Sequence, residues 1–453
     1  MRTEKDPLGM KQLPDHAYWG IHTQRAYENF HISHENAPVY FYHAIAQIKL
    51  AAARVNRKRL GRKKADAIIK ACQEVLTGKF DDQFILDYLQ AGMGTPMNMN
   101  VNEVIANRAL ELLGYDKGLY EYVHPNDDVN YAQSTNNVIP TALKIAALDR
   151  LDDFHTQLDL VIRTFEKKAK EFSKVLKTGR THLQDAVPMS LGQEFLAYAQ
   201  ELRITKARIQ QASKELFILG IGGNAIGTAV NAPKNYDKHI VKELRAMTKR
   251  DFKVAKNHVA MTQFPYEFAH LSSALTLLCI DLTKICNDLR LLSSGPTAGL
   301  NEIHLPEVEP GSSIMPGKVN PSILECMNMI CYDVMGNHHS IVLASQAGQL
   351  ELNVMMPLIV KKLLFSIDIL TNGLSMLSTK CIEGISANKE QCRKYFDHSN
   401  GLATLLNPLI GYDAAAQVAQ EALRTKKSVE EIVLKRGLLS KKEWDALIKK
   451  SVE

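Results

Sequence analysis

The stretch TALKIAALDRLDDFHTQLDLVIRTFEKKAKEFSKVLKT, Thr141 to Thr178, decides the fold class. Its apolar residues Leu148, Leu151, Phe154, Leu158, Val161, Ile162, Phe165, Ala169, Phe172 and Leu176 recur at spacings of three and four. That period is one face of a helix, and it predicts a single long helix opened after Pro140 and stopped by Gly179. The same pattern returns from about Pro188 to Leu219, Pro265 to Leu292, Ser322 to Gln349 and Asn353 to Cys381. In the last of these, Pro357 falls in the first turns, where proline is tolerated. The middle of the chain therefore reads as a bundle of about five long helices. Helices this long, apolar over more than one narrow stripe, imply burial against helices of other copies.

Working outward, the segment before Gln133 is shorter in pattern and richer in loops, and the first forty residues hold few convincing helices. After Ile385 come short helices with S-x-x-E capping signals at Ser428 to Glu431 and Ser440 to Glu443. At 453 residues the chain exceeds one hydrophobic core. Three regions are expected: 1–134, a central long-helix region 135–386, and a small helical region 387–453.

Composition is that of a folded protein, with 45% hydrophobic and 23% charged residues. A net charge of +6 is spread along the chain. The cluster RKRLGRKK, Arg57 to Lys64, lacks an aromatic stacking platform and reads as a solvated helix face, so no nucleic-acid partner is expected. No apolar run approaches the roughly 18 residues a membrane span needs, and the start MRTEKDPLG has no apolar core, which predicts a cytoplasmic protein without a membrane partner. Seven scattered cysteines without a C-x-x-C pair predict reduced, buried thiols.

Several short motifs fail on spacing. GSSIMPGKV has five residues between its glycines, where a P-loop needs four, and Val319 where that loop needs Ser or Thr. GIGGNA, Gly220 to Ala225, is followed by Pro233 where a dinucleotide fold needs a helix, and reads as a sharp connection between helices. His338 and His339 on a helix point about 100° apart and do not converge on a metal. HENAP at His34 has Pro38 where a zinc motif needs its second histidine. No cofactor and no metal site is expected.

Four segments share another character: GMGTPMNMNVNEV (Gly92 to Val104), HPNDDVNYAQSTNN (His124 to Asn137), GRTHLQDAVPMSLGQEF (Gly179 to Phe195) and GSSIMPGKVNP (Gly311 to Pro321). Each offers neutral hydroxyl and amide donors near expected helix ends, either as helix caps or as a site for an anion. His182 adds an imidazole, a side chain able to give or take a proton.

The last segment resembles the signature loop of the aspartase/fumarase superfamily, and the other three are similar to that family's remaining site regions in the same order. The resemblance runs from EKDPLG to LNPLIGYD and the final short helices. It implies an all-α, three-domain fold with a central five-helix bundle, and a homotetramer with a twenty-helix core whose active sites are shared between subunits. It implies reversible loss of ammonia or water from a small dicarboxylate. The proton leaves the carbon beside a carboxylate, which becomes an enediolate and needs preorganised donors.

By the same resemblance, Thr95, Ser134, Thr135 and Ser313 would hold that carboxylate, with Asn136 a further substrate-binding residue, and Thr181, Lys318 and Asn320 the other. Ser312 matches the general base, and His182 with Glu325 the histidine–carboxylate pair. Met93 in place of a serine, GLNEIHLPE, LELNVMMP and ISANKEQC resemble the ammonia-lyase branch, acting on L-aspartate and fumarate. HPNDDVN and IGYDAAA resemble class II fumarases. A related lyase with another amine, and a structural tetramer without catalysis, stay open.

Overall fold

The computed structural model describes residues 1–452. An antiparallel hairpin, β1 (Arg2–Asp6) with β2 (Gly9–Leu13), precedes α1 (Ile21–Asn29), α2 (Val39–Val55), α3 (Arg57–Leu60), α4 (Arg62–Leu76) and α5 (Thr95–Leu112). The first N–H groups of a helix lack intrahelical partners. At the start of α1 those of Gly20, His22 and Thr23 are taken by the buried Glu103 carboxylate of α5, at 2.9, 2.9 and 3.2 Å. Gly20 is required there, because a Cβ would sit 2.7 Å from the Glu103 carboxyl carbon. In α4 one face, Ala65, Ile68, Cys72 and Val75, is buried, while Arg57 pairs with Asp66 and Lys64 with Asp128. The basic cluster is thus a solvated face.

Five helices of 23 to 37 residues follow: α6 (Thr135–Glu171), α7 (Leu191–Ser213) and, after the short α8 (Tyr236–Thr248) and α9 (His258–Gln263), α10 (Tyr266–Leu292), α11 (Ser322–Gln346) and α12 (Met356–Lys380). The chain closes with α13 (Lys389–His398), α14 (Asn407–Ile410), α15 (Tyr412–Thr425), α16 (Val429–Lys435) and α17 (Lys441–Val452). At α16 Ser428 Oγ accepts the Glu431 N–H at 3.1 Å and Glu431 accepts the Ser428 N–H at 2.8 Å, and Ser440 and Glu443 repeat the exchange.

The chain is mostly helical, with four short two-stranded ladders among the described residues. Besides β1–β2, it contains β3 (Leu176–Thr181) paired with β4 (Gln184–Ser190), β5 (Ile218–Leu219) with β6 (Lys253–Val254), and β7 (Ile303–His304) with β8 (Ser386–Ala387). The expected helix over 141–178 is displaced. Helix α6 opens at Thr135, because Ser134 Oγ accepts the Asn136 N–H and the Ser134 carbonyl accepts those of Asn137 and Val138. Pro140 then stands inside the helix, forgoing one backbone bond. The helix ends at Glu171, and Leu176, in phase with its apolar face, is already in a strand.

The segment GIGGNA follows a 3₁₀ turn and the two-residue strand β5, not a helix. Gly222 and Gly227 there have positive φ, and a Cβ on Gly227 would overlap Val259, so a tight turn is what the glycines permit.

Two compact units are formed. The first comprises Met1–Phe154, Ala207–Leu277 and Asp333–Ile369; the second His155–Lys206, Leu278–Tyr332 and Leu370–Glu453. In the first, Arg150 of α6 pairs with Asp368 of α12 at 2.7 Å, and buried Lys144 with Glu267 at 2.6 Å. In the second, Tyr198 donates to Asp288 at 2.9 Å and Thr164 meets Ser378 at 2.9 Å. A separate apolar cluster of the second unit gathers Phe396, Leu402, Leu406, Val418, Ile432 and Trp444.

Among the described residues one helix, α10, is long and apolar enough by length and composition to cross a membrane, although polar residues interrupt its apolar run. Half of that stretch is buried within the protein, and its Asn287 and Asp288 bond Asn328 and Tyr198, the behaviour of a core helix.

Candidate active site

In the first unit, Thr95 is the first residue of α5 and Ser134 to Asn136 open α6. The two helix starts are joined: Asn98 Nδ2 donates to Thr135 Oγ1 at 3.0 Å and to Asn130 Oδ1 at 3.3 Å. Asn136 Nδ2 donates to the Ala225 carbonyl at 2.7 Å, which brings the GIGGNA turn to this place. Pro96, in the first turn of α5, costs no backbone bond because its N–H would be unpartnered there. Two helix N-termini side by side present partial positive charge, which suits a carboxylate without a formal charge clamping it.

Met93, buried just before α5, has φ of 64° and donates its N–H to the Val354 carbonyl at 2.6 Å. Gly92 is equally constrained, since a Cβ would meet Val354 Cβ at 2.8 Å. Two segments that resemble the ammonia-lyase branch, around Met93 and LELNVMMP, are therefore in direct contact. Asn137 is buried, its side-chain oxygen without a protein hydrogen bond.

Beneath the joined helix starts lies Lys49 of α2, fully buried, a residue the sequence reading missed. Its ammonium donates to Asn130 Oδ1 at 2.7 Å and Gln133 Oε1 at 3.1 Å. Burial among neutral amides pulls it well below the usual lysine range, with the Cys72 thiol acting weakly the other way. Lys49, Asn130, Asn98 and Thr135 thus form one chain of hydrogen bonds.

In the second unit, the tip of the β3–β4 hairpin carries Thr181 and His182. Thr181 pairs with Gln184, so His182 and Leu183 form a two-residue turn, with φ of 54° and 60°. Such turns need positive φ at both positions and favour Asn-Gly, so this turn holds two residues in a conformation they adopt at a cost. Both are exposed. At the hairpin base Lys177 pairs with Glu194 at 2.7 Å and with the fully buried Glu302 at 3.0 Å, and Arg180 meets Glu302 at 2.8 Å. Burial alone would lower the Lys177 pKa, but Glu194 and Glu302 more than offset it and hold it above the usual range.

The loop Gly311 to Pro321 is pinned at its base. The Gly311 N–H donates to the Lys318 carbonyl at 2.9 Å, and Asn320 Nδ2 to the Gly311 carbonyl at 2.7 Å. Within it, Ser312 Oγ accepts the N–H groups of Ile314 at 3.3 Å and Met315 at 3.1 Å. Hydrogen bonds to the charged form favour it, so this arrangement lowers the cost of a serine alkoxide. Ser313 and Lys318 are exposed on the same loop. Glu325, in the first turn of α11, lies 3.7 Å from Arg290. Among the described residues no hydrogen bond joins His182 to Glu325, nor either of them to Ser312.

The geometry offers joined helix starts lined by neutral donors in one unit, and a serine hydroxyl bonded to two backbone N–H groups with an exposed imidazole in the other. Residues 9–336 match a family model described as Lyase, and residues 402–451 one described as Fumarase C C-terminus. An aspartate ammonia-lyase of Helicobacter pylori is 46% identical over 453 residues, covering 99% of this chain and 97% of that protein. One from Bacillus subtilis is 46% identical over 449 residues, covering 99% and 94%. A solved fumarate lyase:delta crystallin from Brucella melitensis, bound to cobalt, is similar with a TM-score of 0.96 at 44% identity, covering 99% of this chain and 98% of that one. A class II fumarase from Schistosoma mansoni gives 0.95 at 38% identity, covering 99% and 98%. With the fold and these segments matched along nearly its whole length, the chain belongs to the aspartase/fumarase superfamily of lyases.

Proposed function

We propose that this chain is an aspartate ammonia-lyase, a carbon–nitrogen lyase that converts L-aspartate reversibly to fumarate and ammonia. The single geometric observation that carries the chemistry is Ser312 Oγ accepting two backbone N–H groups. The choice of ammonia over water is supported by near-full-length identity to aspartate ammonia-lyases.

Ser312, as the alkoxide, takes the proton from C3 of aspartate, and the adjacent C4 carboxylate becomes an enediolate. Thr95, Ser134, Thr135 and Ser313 meet the added charge, with Asn136 holding the neighbouring backbone. Neutral donors stabilise charge that develops without gripping the ground state equally. Thr181, Lys318 and Asn320 hold the other carboxylate; Asn320 keeps one amide hydrogen free for this after bonding Gly311. The enediolate then collapses, expelling ammonia from C2, with His182 at the leaving group and oriented by Glu325.

The site is assembled between copies. Each chain folds as three domains, 1–134, 135–386 and 387–453, and the five long helices of four copies pack as a twenty-helix core. Supporting this, helices α10 and α11 carry large apolar side chains open to solvent in the single chain: Ile280 at 52%, Met329 at 63% and Tyr332 at 54%. Leu183, beside His182, is 70% exposed. The His182–Glu325 pair, not made within one chain, forms across subunits. Seven free cysteines accord with a cytoplasmic location.

The test follows the ultraviolet absorbance of fumarate with L-aspartate and, separately, L-malate. Fumarate from aspartate alone is expected. Fumarate from malate alone would make the chain a fumarase, and silence with both would leave another amine or a structural tetramer.

A further inference from the structure

We propose that Glu302 is a positioning residue for the hairpin that carries Thr181 and His182, fixing it to the segment that leads into the Ser312 loop. The inference rests on the ammonia-lyase reading for its catalytic consequence.

Glu302 is fully buried, and its carboxylate faces two cations of one strand, Lys177 at 3.0 Å and Arg180 at 2.8 Å. In a regular strand, residues three apart point to opposite faces. Here the ladder is irregular between Thr178 and Arg180, where Gly179 of β3 faces two residues of β4, Ala186 and Val187, and both cations reach the same carboxylate. Gly179 suits this position because a Cβ would lie 2.8 Å from the Val187 carbonyl oxygen. This irregularity also sets the direction in which the next residues, Thr181 and His182, leave the strand.

The partner side is rigid. The Glu302 N–H donates to the Leu292 carbonyl at 2.8 Å, its carbonyl accepts the Asn388 N–H at 2.9 Å, and Ile303 pairs with Ala387. Arg180 is held a second time by the same segment. Its guanidinium lies over Tyr395 at 5.4 Å, whose hydroxyl donates to the Gly299 carbonyl at 3.3 Å. Lys177 reaches further to Glu194 in the first turn of α7. The carboxylate therefore ties the hairpin to the backbone that, nine residues on, becomes Gly311.

A buried ionic cluster is a poor source of stability compared with packed apolar side chains. What it supplies is a fixed geometry. The hairpin tip needs that, since His182 and Leu183 both hold positive φ, and such conformations persist only where the surroundings impose them.

The experiment is a double-mutant cycle with L-aspartate as substrate. Glu302→Gln in the otherwise unchanged enzyme should lower kcat about tenfold, with helical circular dichroism and assembly size retained. In a His182→Asn background the same change should cost less than about twofold, because the group being positioned is gone. Equal losses in both backgrounds would overturn the proposal. Should Glu302→Gln fail to fold, Arg180→Lys replaces it in the cycle, keeping the charge but losing the planar fork.

Amide hydrogen exchange over residues 176–190 is measured on the same variants. It should speed up selectively against residues 402–433, and unchanged exchange in the hairpin would also sink the proposal. If the unmodified protein makes no fumarate from aspartate, the ammonia-lyase reading has failed. The exchange measurement then judges the clamp by itself.

Discussion

Thr95 and Thr135 stand on helix starts tied to each other and to the interior, whereas Ser312, Ser313 and Lys318 stand on an exposed loop held at its base. In the first region the joined helix starts are linked through neutral amides, Asn98, Asn130, Gln133 and Asn136, above the buried Lys49. In the second, Ser312 bonds the next residues of its own loop. The difference teaches a division of labour. On the proposed mechanism, the groups that meet the developing charge are built into long helices, and the general base is on an exposed loop pinned at its base.

The largest effect should come from the reacting region. Ser312→Ala should lower kcat by about 10²–10⁴-fold, the usual size of a general-base contribution, while circular dichroism and assembly size stay the same. Retained full activity would move the base elsewhere and erase the contrast. Next come the two loop glycines. A Cβ on Gly311 would overlap the Lys318 carbonyl oxygen and lie 2.8 Å from the Asn320 nitrogen, so Gly311→Ala should open the loop base and cost about a hundredfold in kcat. Gly317, with φ of 76°, has open space around it, so Gly317→Ala meets only backbone strain of about 1 kcal/mol. Its loss should stay near fivefold. Equal effects at the two glycines would mean that the pinned base is not what shapes the loop.

The cradle should respond in kcat. Thr135→Val keeps the shape but removes the oxygen that accepts from Asn98, and with it a donor to the substrate carboxylate. A hydrogen bond to a charged group is worth about 1.5–3 kcal/mol, so kcat/KM for L-aspartate should fall about tenfold or more, chiefly through kcat. A rise in KM with kcat unchanged would instead make Thr135 a ground-state binder and remove it from the groups that meet the developing charge.

How much of this was legible in the sequence follows from the range of each signal. Leu148 to Phe172 repeat at helical spacing for many turns, so the long helices were readable from local pattern. Their ends were not. Pro140 looked like a start because proline opposes helix interiors, yet Ser134 supplies a cap early enough to override it. The His182–Leu183 turn has neither glycine nor asparagine to announce a hairpin.

Within the site, Ser312 and the hydroxyl-rich segments were visible by residue type. Lys49 reads as the stem of an amphipathic helix, and Glu302 as one acid among many. Their roles depend on burial and on partners distant in sequence, such as Asn130 and Lys177. No local period carries that information.

Lys49 gives the smallest effect and the sharpest check on the buried region. Its pKa is lowered in the folded chain, so between that value and the unfolded lysine value near 10.4 the unfolded chain binds more protons. Stability should therefore rise with pH across this window, by at most about 1.4 kcal/mol per pH unit from this group. Lys49→Met removes the contribution, so the Tm of the unmodified protein should gain on that of the variant as pH rises toward the unfolded lysine value. The variant also leaves Asn130 and Gln133 without their shared donor, and slack passed through Asn98 to Thr135 should lower kcat/KM a few-fold. A parallel pH dependence of the two Tm values would mean that Lys49 keeps its charge in the interior. The cradle would then be electropositive beneath a neutral lining, and its contrast with the Lys318 loop would be one of depth rather than of charge.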